Sequence, residues 1–312
     1  MNPRSLLHFA LSFALLAISQ NPVSAHDPGL IQPGAEIRYL AGGFRFAEGP
    51  ACDSGGNLYF SDIPNNRIYI WTLNGDLKLY REKSNAANGL YFDSDGSLLV
   101  CEGAGRRLIR DNLNGQLTPL ADSYEGKKLN SPNDLWVDPA GGIYFSDPRY
   151  GKTDDLEQDG MHVYYLPKDG KLRRVTDDLI KPNGLAGTPD GKKLYISDEG
   201  AKRVWVYTIV RGGNLRNKRL FAEQDCDGMT LDDNGNVYMA GKKVAIYSPE
   251  GVLLECIQFP EQPSNVTFGG KNHKTLFVTA RTSLYSIDLQ VSGAYKALPP
   301  PPRPPAPEKS PK

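Results

Sequence analysis

One acidic or amide residue recurs at the same place in a repeated unit, and this recurrence constrains the fold of the chain more than any other feature. Each copy opens a short apolar segment that leads into a turn and a strand. The six positions are Glu48, Asn88, Asn133, Asn183, Asp227 and Asn265. Their spacings of 40, 45, 50, 44 and 38 residues are typical of β-propeller blades. The sequence therefore predicts an all-β fold, a six-bladed β-propeller.

Each repeat continues in the same order, with a turn rich in Gly, Asn and Asp followed by an apolar strand. The turn residues supply positive φ angles and local side-chain hydrogen bonds. Strands such as residues 58–62 and 143–147 are typical of strands buried between neighbouring blades. Blade six lacks a fourth strand of its own because the chain becomes proline-rich after Tyr295. A strand at residues 36–40 is predicted to pair with blade six and close the ring.

The two ends of the chain are predicted to lie outside the propeller. Arg4, the apolar run 6–18 and the small residues 23–25 indicate a signal peptide over residues 1–25, cut after Ala25. This predicts a secreted or periplasmic protein without a membrane span after cleavage, with an uncleaved anchor as the alternative. The remaining boundaries are a flexible N-terminus at 26–35, the propeller at 36–296 and a disordered Pro-rich tail at 297–312.

Charge and cysteine content exclude some partners and leave other questions open. Lys plus Arg and Asp plus Glu both number 36, so the formal net charge is zero and no basic run suggests nucleic acid. Cys52, Cys101, Cys226 and Cys256 show no C-x-x-C spacing, and four cysteines allow three full pairings. Cys52 and Cys101 fall in apolar strands, which favours buried free thiols. The oligomeric state is not predicted.

The recurring residues also predict a site, because equivalent positions of all blades converge on the central channel. Glu48, Asn133, Asn183 and Asp227 are carboxylates or amides. Oxygen ligands select Ca²⁺, Mg²⁺ or Mn²⁺ over softer metals, and a divalent cation would relieve the repulsion between two carboxylates. A roomy channel with uncharged amides favours Ca²⁺. We therefore expect a metal site in the central channel.

Each recurring residue also has a plainer interpretation. Asn-Gly and Asp-Gly dipeptides are ordinary turn residues, so any single copy favours a structural role. The evidence is weakest for Asn88 and Asn265, which could lie behind the ligands, face the substrate or cap a strand. No H-E-x-x-H, G-x-S-x-G, S-x-x-K or Walker pattern is present. A metal and a carboxylate must therefore carry any hydrolysis.

Taken together, four motifs resemble the senescence marker protein/gluconolactonase family, which includes regucalcin. These motifs are Glu48-Gly-Pro, Asn133-Asp134, Lys181-Pro-Asn183-Gly and Asp227-Gly-Met-Thr. The resemblance covers residues 36–289. It implies a six-bladed propeller with an axial divalent metal, usually Ca²⁺ or Zn²⁺, and lactone hydrolysis. Diisopropyl-fluorophosphatase is a more distant relative with a similar axial site.

The resemblance also implies roles for individual residues. Glu48, Asn183 and Asp227 match metal ligands of the family, and Asp227 matches its catalytic carboxylate. Asn133 matches an asparagine that binds metal in some members and substrate in others. Apart from the resemblance, its place in the repeat makes Asn88 a further substrate-binding candidate.

The chain departs from the family pattern at one position. Some sugar-lactone members carry an Arg two residues before the ring asparagine, where this chain has Ser131. Regucalcin-like sugar specificity is therefore in doubt. Arg149 and Tyr150, on the loop that runs to Met161, are predicted to bind substrate at the mouth instead, with a solvated loop as the alternative.

The predicted activity is hydrolysis of a small polar lactone of the aldonolactone type. The metal acts as Lewis acid, and Asp227 acts as general base or nucleophile. Two other functions remain open from the sequence. One is a metal-dependent esterase or phosphotriesterase on the same ring, and the other is a non-enzymatic propeller that binds a peptide or glycan with a structural metal.

Overall fold

The computed structural model describes residues 29–168 and 170–295, in which the strands form six four-stranded antiparallel sheets and one two-stranded hairpin. The predicted signal peptide at 1–25 and the predicted tail at 297–312 lie outside the described residues, so both stay predictions. The described residues include no helix that is long and apolar enough to cross a bilayer.

In the first five blades the four strands follow one another in the chain, and neighbours in sequence are neighbours in the sheet. Blades one and two contain β2 Ala47–Cys52, β3 Leu58–Asp62, β4 Arg67–Trp71 and β5 Leu77–Glu82, then β6 Ala87–Phe92, β7 Leu98–Glu102, β8 Arg107–Asp111 and β9 Leu117–Ala121. A small hairpin follows, with β10 Ser123–Tyr124 and β11 Lys127–Lys128. Blades three and four contain β12 Leu135–Val137, β13 Ile143–Asp147, β14 His162–Leu166 and β15 Arg173–Thr176, then β16 Pro182–Gly187, β17 Lys193–Asp198, β18 Arg203–Val210 and β19 Asn214–Ala222. Blade five contains β20 Met229–Leu231, β21 Val237–Ala240, β22 Val244–Tyr247 and β23 Leu253–Ile257, and blade six contains β24 Asn265–Gly269, β25 Thr275–Ala280 and β26 Ser283–Asp288.

The fourth strand of blade six comes from the other end of the chain. Strand β1, Arg38–Gly42, pairs antiparallel with β26, with Arg38 opposite Ser286. The Arg38 guanidinium donates hydrogen bonds of 2.7 and 2.9 Å to Asp288. This confirms the predicted ring closure, although the strand begins two residues later than residue 36. The innermost strands contact one another in sequence, and β24 contacts β2, so the six-bladed propeller is confirmed.

The hydrophobic core lies between adjacent blades. One cluster joins Tyr59 and Ile68 of blade one to Leu90, Val100 and Ile109 of blade two, all buried. Strands such as β3 and β13 are buried along their whole length, because each sheet has a neighbouring blade on both faces. This explains why their sequences are continuous apolar runs rather than alternating ones.

Two features differ from the sequence prediction. The hairpin β10–β11 was not predicted, and its turn requires positive φ at Glu125 and Gly126. The segment 29–35 was expected to belong to a flexible N-terminus, but Leu30 and Ile31 pack against the propeller. Leu30 is buried, and Ile31 forms a β-bridge with Leu289.

All four cysteines lie in described residues and are free thiols, with Cys101 buried but Cys52 partly exposed.

Candidate active site

Five of the six recurring residues line one cavity of about 520 Å³ at one end of the channel. These are Glu48, Asn88, Asn133, Asn183 and Asp227. The sixth, Asn265, lies behind Glu48. Equivalent positions of different blades therefore converge, as the repeat register predicted. Chain segments as far apart in sequence as blade one and blade five contribute to the same surface.

The glycine that follows several of these residues allows neighbouring blades to approach. The Gly184 N–H donates to the Asp227 carbonyl oxygen at 2.7 Å, and the Gly89 N–H donates to the Asn133 carbonyl oxygen at 2.7 Å. A Cβ on Gly184 would lie 2.2 Å from the Asp227 oxygen, and one on Gly89 would lie 2.6 Å from the Asn133 oxygen. No larger residue fits this approach. These Asn-Gly dipeptides lie in strands rather than turns.

A buried aspartate holds the backbone just ahead of the ring residue in three blades. Asp147 accepts hydrogen bonds of 2.7 Å from the Asn130 and Ser131 N–H groups, two to three residues before Asn133. Asp62 and Asp198 do the same for residues 45–46 and 180–181. The sequence analysis missed this role, although the recurrence of Ser-Asp at the end of the second strand was a visible signal.

Glu48 is buried, and two neighbours fix its carboxylate. Its Oε2 accepts a hydrogen bond from its neighbouring Gly49 N–H at 2.6 Å and another from the Asn265 Nδ2 at 3.0 Å. The Asn265 Oδ1 accepts a hydrogen bond from the Val266 N–H at 2.8 Å. Asn265 is therefore an amide donor that orients Glu48, which is one of the roles that the sequence left open.

Asn183 and Asp227 are joined by a hydrogen bond. The Asn183 Nδ2 donates to the Asp227 Oδ1 at 2.7 Å and also to the Tyr150 hydroxyl oxygen at 2.7 Å. The Tyr150 hydroxyl in turn donates to the Glu199 Oε2 at 2.7 Å. Tyr150 and Glu199 both line the cavity. Tyr150, which was predicted to bind substrate at the mouth, is therefore part of the lining, and Glu199 is a further lining residue that the sequence did not indicate.

The carboxylates of the site are held in an unfavourable environment for negative charge. Burial raises the pKa of Glu48 well above its usual value, and the nearby Asp227 raises it further. Burial also raises the pKa of Asp227 to about 7. Asp134, which follows Asn133, has its pKa raised to about 7 by burial as well. The sequence did not single out the Asp134 carboxylate, although it stands where most other copies have Gly.

Four side chains of the cavity, those of Glu48, Asn133, Asn183 and Asp227, suit a hard divalent cation as ligands. They offer only carboxylate and amide oxygens, and a positive ion would relieve the repulsion between the two carboxylates. The described residues contain no gathering of three or more His, Cys, Asp or Glu side chains able to hold a metal ion. Any cation here would therefore depend on Asn133 and Asn183 together with Glu48 and Asp227.

Other candidate residues are placed differently. Arg149 was predicted to bind substrate, but it is not part of the cavity lining, and its Nη2 donates to Asp155 of the same loop at 3.2 Å. The Arg149 guanidinium, which was predicted to contact a substrate, is therefore paired with the Asp155 carboxylate of its own loop. Ser131 does line the cavity, at the position where some sugar-lactone members carry Arg. Arg281 is a cationic residue of the cavity rim.

The chain resembles proteins of one family over most of its length. Residues 46–282 match the SMP-30/Gluconolactonase/LRE-like region. A gluconolactonase of Zymomonas mobilis is 32% identical over 300 residues, which cover 85% of this chain and 84% of the relative. The structure of a gluconolactonase from Xanthomonas campestris has 32% identity and a TM-score of 0.80, covering 85% of this chain and 93% of that chain.

A third protein shares the fold. A regucalcin from Agrobacterium tumefaciens, described as a calcium-binding protein, has a TM-score of 0.72 at 21% identity and covers 84% of this chain and 97% of that chain. Its identity is too low to support more than the common architecture. The family match, by contrast, runs from blade one to blade six and includes every ring residue. The chain therefore belongs to the SMP-30/gluconolactonase/LRE-like family.

Proposed function

We propose that this protein hydrolyses a small polar sugar lactone with the help of a divalent cation held by Glu48, Asn133, Asn183 and Asp227. The chain is a gluconolactonase-like lactonase by its family and by its relative of 32% identity. The observation that supports the metal-dependent mechanism is the meeting of two desolvated carboxylates and two amides on one cavity. Such a set of oxygens is suited to Ca²⁺, with Zn²⁺, Mg²⁺ and Mn²⁺ as the other candidates.

Asp227 accepts and returns the proton in this mechanism. A bound divalent cation supplies a Lewis acid that polarises the lactone carbonyl. The Asp227 carboxylate accepts a proton from water as the water oxygen bonds to the carbonyl carbon. The ring C–O bond then breaks, and the proton passes to the leaving oxygen to give the open hydroxy acid. The alternative is direct attack by the Asp227 carboxylate on the carbonyl carbon, in which the ring C–O bond breaks to give a mixed anhydride, and water then hydrolyses this anhydride to the hydroxy acid and the free carboxylate.

The other residues bind and orient. The Asn183 amide holds Asp227 Oδ1 by a hydrogen bond of 2.7 Å, and Asn265 holds Glu48 in the same way at 3.0 Å. Asn88 and Tyr150 line the cavity and are the candidates for contact with the substrate hydroxyl groups. The volume of about 520 Å³ lies within the range of small-molecule sites.

The test is hydrolysis of a panel of aldonolactones with and without EDTA, followed by addition of Ca²⁺, Zn²⁺, Mg²⁺ or Mn²⁺. We expect chelation to abolish turnover and to lower the melting temperature together, because a cation at a hundredfold excess over its dissociation constant stabilises the folded state by about 2.7 kcal/mol. Unchanged turnover and melting after elemental analysis has confirmed metal loss would contradict the metal site. Carboxylic esters and phosphotriesters in the same panel test the alternative activities, and absence of all turnover would favour a binding module.

We also propose that the protein is exported, with the mature chain beginning at His26. This rests on the N-terminal sequence alone. Mass spectrometry of the protein isolated from its native host measures the mature N-terminus, and an intact residue 1–25 segment would overturn the proposal.

A further inference from the structure

A continuous row of hydrogen bonds leads from the rim of the cavity to Asp227. The Tyr150 hydroxyl donates to Glu199 at 2.7 Å, and the Asn183 Nδ2 donates both to the Tyr150 oxygen at 2.7 Å and to the Asp227 Oδ1 at 2.7 Å. Tyr150 comes from the loop between β13 and β14, Glu199 follows β17, and Asp227 precedes β20. Three blades therefore meet in this row.

The row has a direction that its end groups impose. A carboxylate accepts hydrogen bonds, so Tyr150 must use its single hydroxyl hydrogen on Glu199. The Tyr150 oxygen can then only accept, and the group that faces it must be a donor. The Asp227 carboxylate also accepts, so the Asn183 atom that faces it must be a donor as well. Asn183 must therefore turn its amide nitrogen toward both neighbours, and each of its two N–H hydrogens has a partner.

The carbonyl oxygen of Asn183 takes no part in either bond. With the nitrogen committed on both sides, a reversed carboxamide would bring this oxygen against the Tyr150 oxygen and the Asp227 carboxylate, which are both acceptors. We propose that Tyr150 and Glu199 are positioning residues that hold the Asn183 carboxamide in the one orientation that leaves its oxygen available to a cation. This inference rests on the proposed metal site, and it assigns to Tyr150 a role different from substrate contact.

Lys181 strengthens the arrangement from the outside. Its ammonium lies 4.7 Å from the centroid of the Tyr150 ring and 3.7 Å from the Glu199 Oε2. It thus holds the ring and the carboxylate together without entering the hydrogen-bond row. The loop that carries Tyr150 is fixed to blade four by these contacts, although Tyr150 itself is 44% exposed.

The test is a calorimetric titration of EDTA-treated protein with Ca²⁺, which reads cation affinity independently of turnover. We expect Tyr150→Phe to weaken Ca²⁺ affinity by about 10-fold to 100-fold, the usual effect of removing a group that orients a metal ligand. Glu199→Gln removes the fixed direction of the row and should also weaken affinity, but it should add no further loss to Tyr150→Phe. The matched control is Tyr247→Phe, which removes a hydroxyl bonded to Gln224 at 3.0 Å in blade five.

A second background separates orientation from general damage. Asn183→Asp places an oxygen at both terminal positions, so no orientation remains to be chosen, and Tyr150→Phe should then leave Ca²⁺ affinity unchanged. An equal loss from Tyr150→Phe in the wild-type and Asn183→Asp backgrounds, or wild-type affinity in Tyr150→Phe alone, would overturn this inference and leave the proposed function intact. Wild-type protein that binds none of the four divalent cations would overturn both.

Discussion

Two opposing effects act on the pKa of the Asp227 carboxyl. Burial raises its pKa to about 7, yet the Asn183 amide donates to its Oδ1 and opposes that rise. This pKa belongs to the metal-free protein, and a bound cation would favour the ionised carboxylate, which is the form that can accept a proton. This residue is therefore where the proposed chemistry can be tested most directly.

We expect Asp227→Asn to retain the fold and to lose about 10²-fold to 10⁴-fold in kcat, the usual contribution of a positioned acid–base group. The amide is nearly isosteric and keeps one oxygen, but it cannot accept a proton or attack a carbonyl. Asn88→Ala is the control, because Asn88 lines the same cavity and the hydrogen bond it receives from Ser61 ends on its backbone oxygen. Turnover, metal content and melting temperature are measured for both variants. Near-native turnover in Asp227→Asn beside a large loss in Asn88→Ala would place the catalytic group in another blade.

The ring residues could be predicted from the sequence because the repeat gives each of them the same register. Side-chain contacts between different blades are not indicated by the repeat. The contacts of Asn265 with Glu48 and of Tyr150 with Asn183 bridge 217 and 33 positions, and nothing in either local sequence indicates its partner. Nor did the sequence indicate that the Arg149 guanidinium donates a hydrogen bond to Asp155 of its own loop.

At the scale of the element, the second strand of a blade does more than fill the core. Its terminal aspartate receives the backbone N–H groups that lie two or three residues before the ring residue, as Asp147 does for Asn130 and Ser131. The second strand therefore helps to fix where the inner strand of its own blade begins. A buried backbone N–H that loses its acceptor costs free energy comparable to a lost hydrogen bond.

We expect Asp147→Ala to lower the free energy of unfolding by about 1–3 kcal/mol, the cost of leaving a buried donor unsatisfied. It should also lower kcat/KM, because the freed segment leads into Asn133. Urea unfolding and lactone turnover measure the two effects. Asp190→Ala is the matched control, since Asp190 also accepts a backbone N–H, from Lys192, but in an exposed turn. A change within about 0.5 kcal/mol is expected there, and a similar loss in both variants would refute the anchoring role of Asp147.

Most strands were predictable because glycine-rich turns and apolar runs alternate along the chain. The hairpin β10–β11 was not, because Ser123, Tyr124 and the two lysines form no apolar pattern. The packing of Leu30 was also missed. A single buried residue in a short segment has no periodicity, and its burial depends on a surface formed at the far end of the propeller sequence by β26 and Leu289.

At the scale of the whole molecule, the ring makes the site and the fold interdependent. The ring residues stand at or near the start of the inner strand in every blade, and the last blade is completed by β1. Six blades could be predicted from repeat spacing, and closure could be predicted from the missing fourth strand. The consequence is that three buried carboxylates, Glu48, Asp134 and Asp227, stand close enough for their charges to affect one another.

This concentration of carboxylates predicts a pH dependence that a cation should reverse. Burial raises the pKa of Asp134 and Asp227 from 3.8 to about 7 in the folded, metal-free protein. A carboxyl with a raised folded-state pKa stabilises the fold fully below about pH 4, and this contribution is lost as the pH rises to about 7. We therefore expect the free energy of unfolding in EDTA to fall between pH 5 and pH 8.

A bound cation favours the ionised carboxylates, so saturating Ca²⁺ should flatten or reverse this fall, and Ca²⁺ affinity should weaken as protons compete below pH 7. Urea unfolding at pH 5, 6, 7 and 8, in EDTA and in excess Ca²⁺, measures both slopes. Asp134→Asn removes one titrating group and should make the EDTA slope shallower while leaving Glu48, Asn133, Asn183 and Asp227 in place. Identical slopes with and without Ca²⁺ would show that the cation does not meet these carboxylates, because a ligand that binds the ionised form of a buried acid must change the pH dependence of stability.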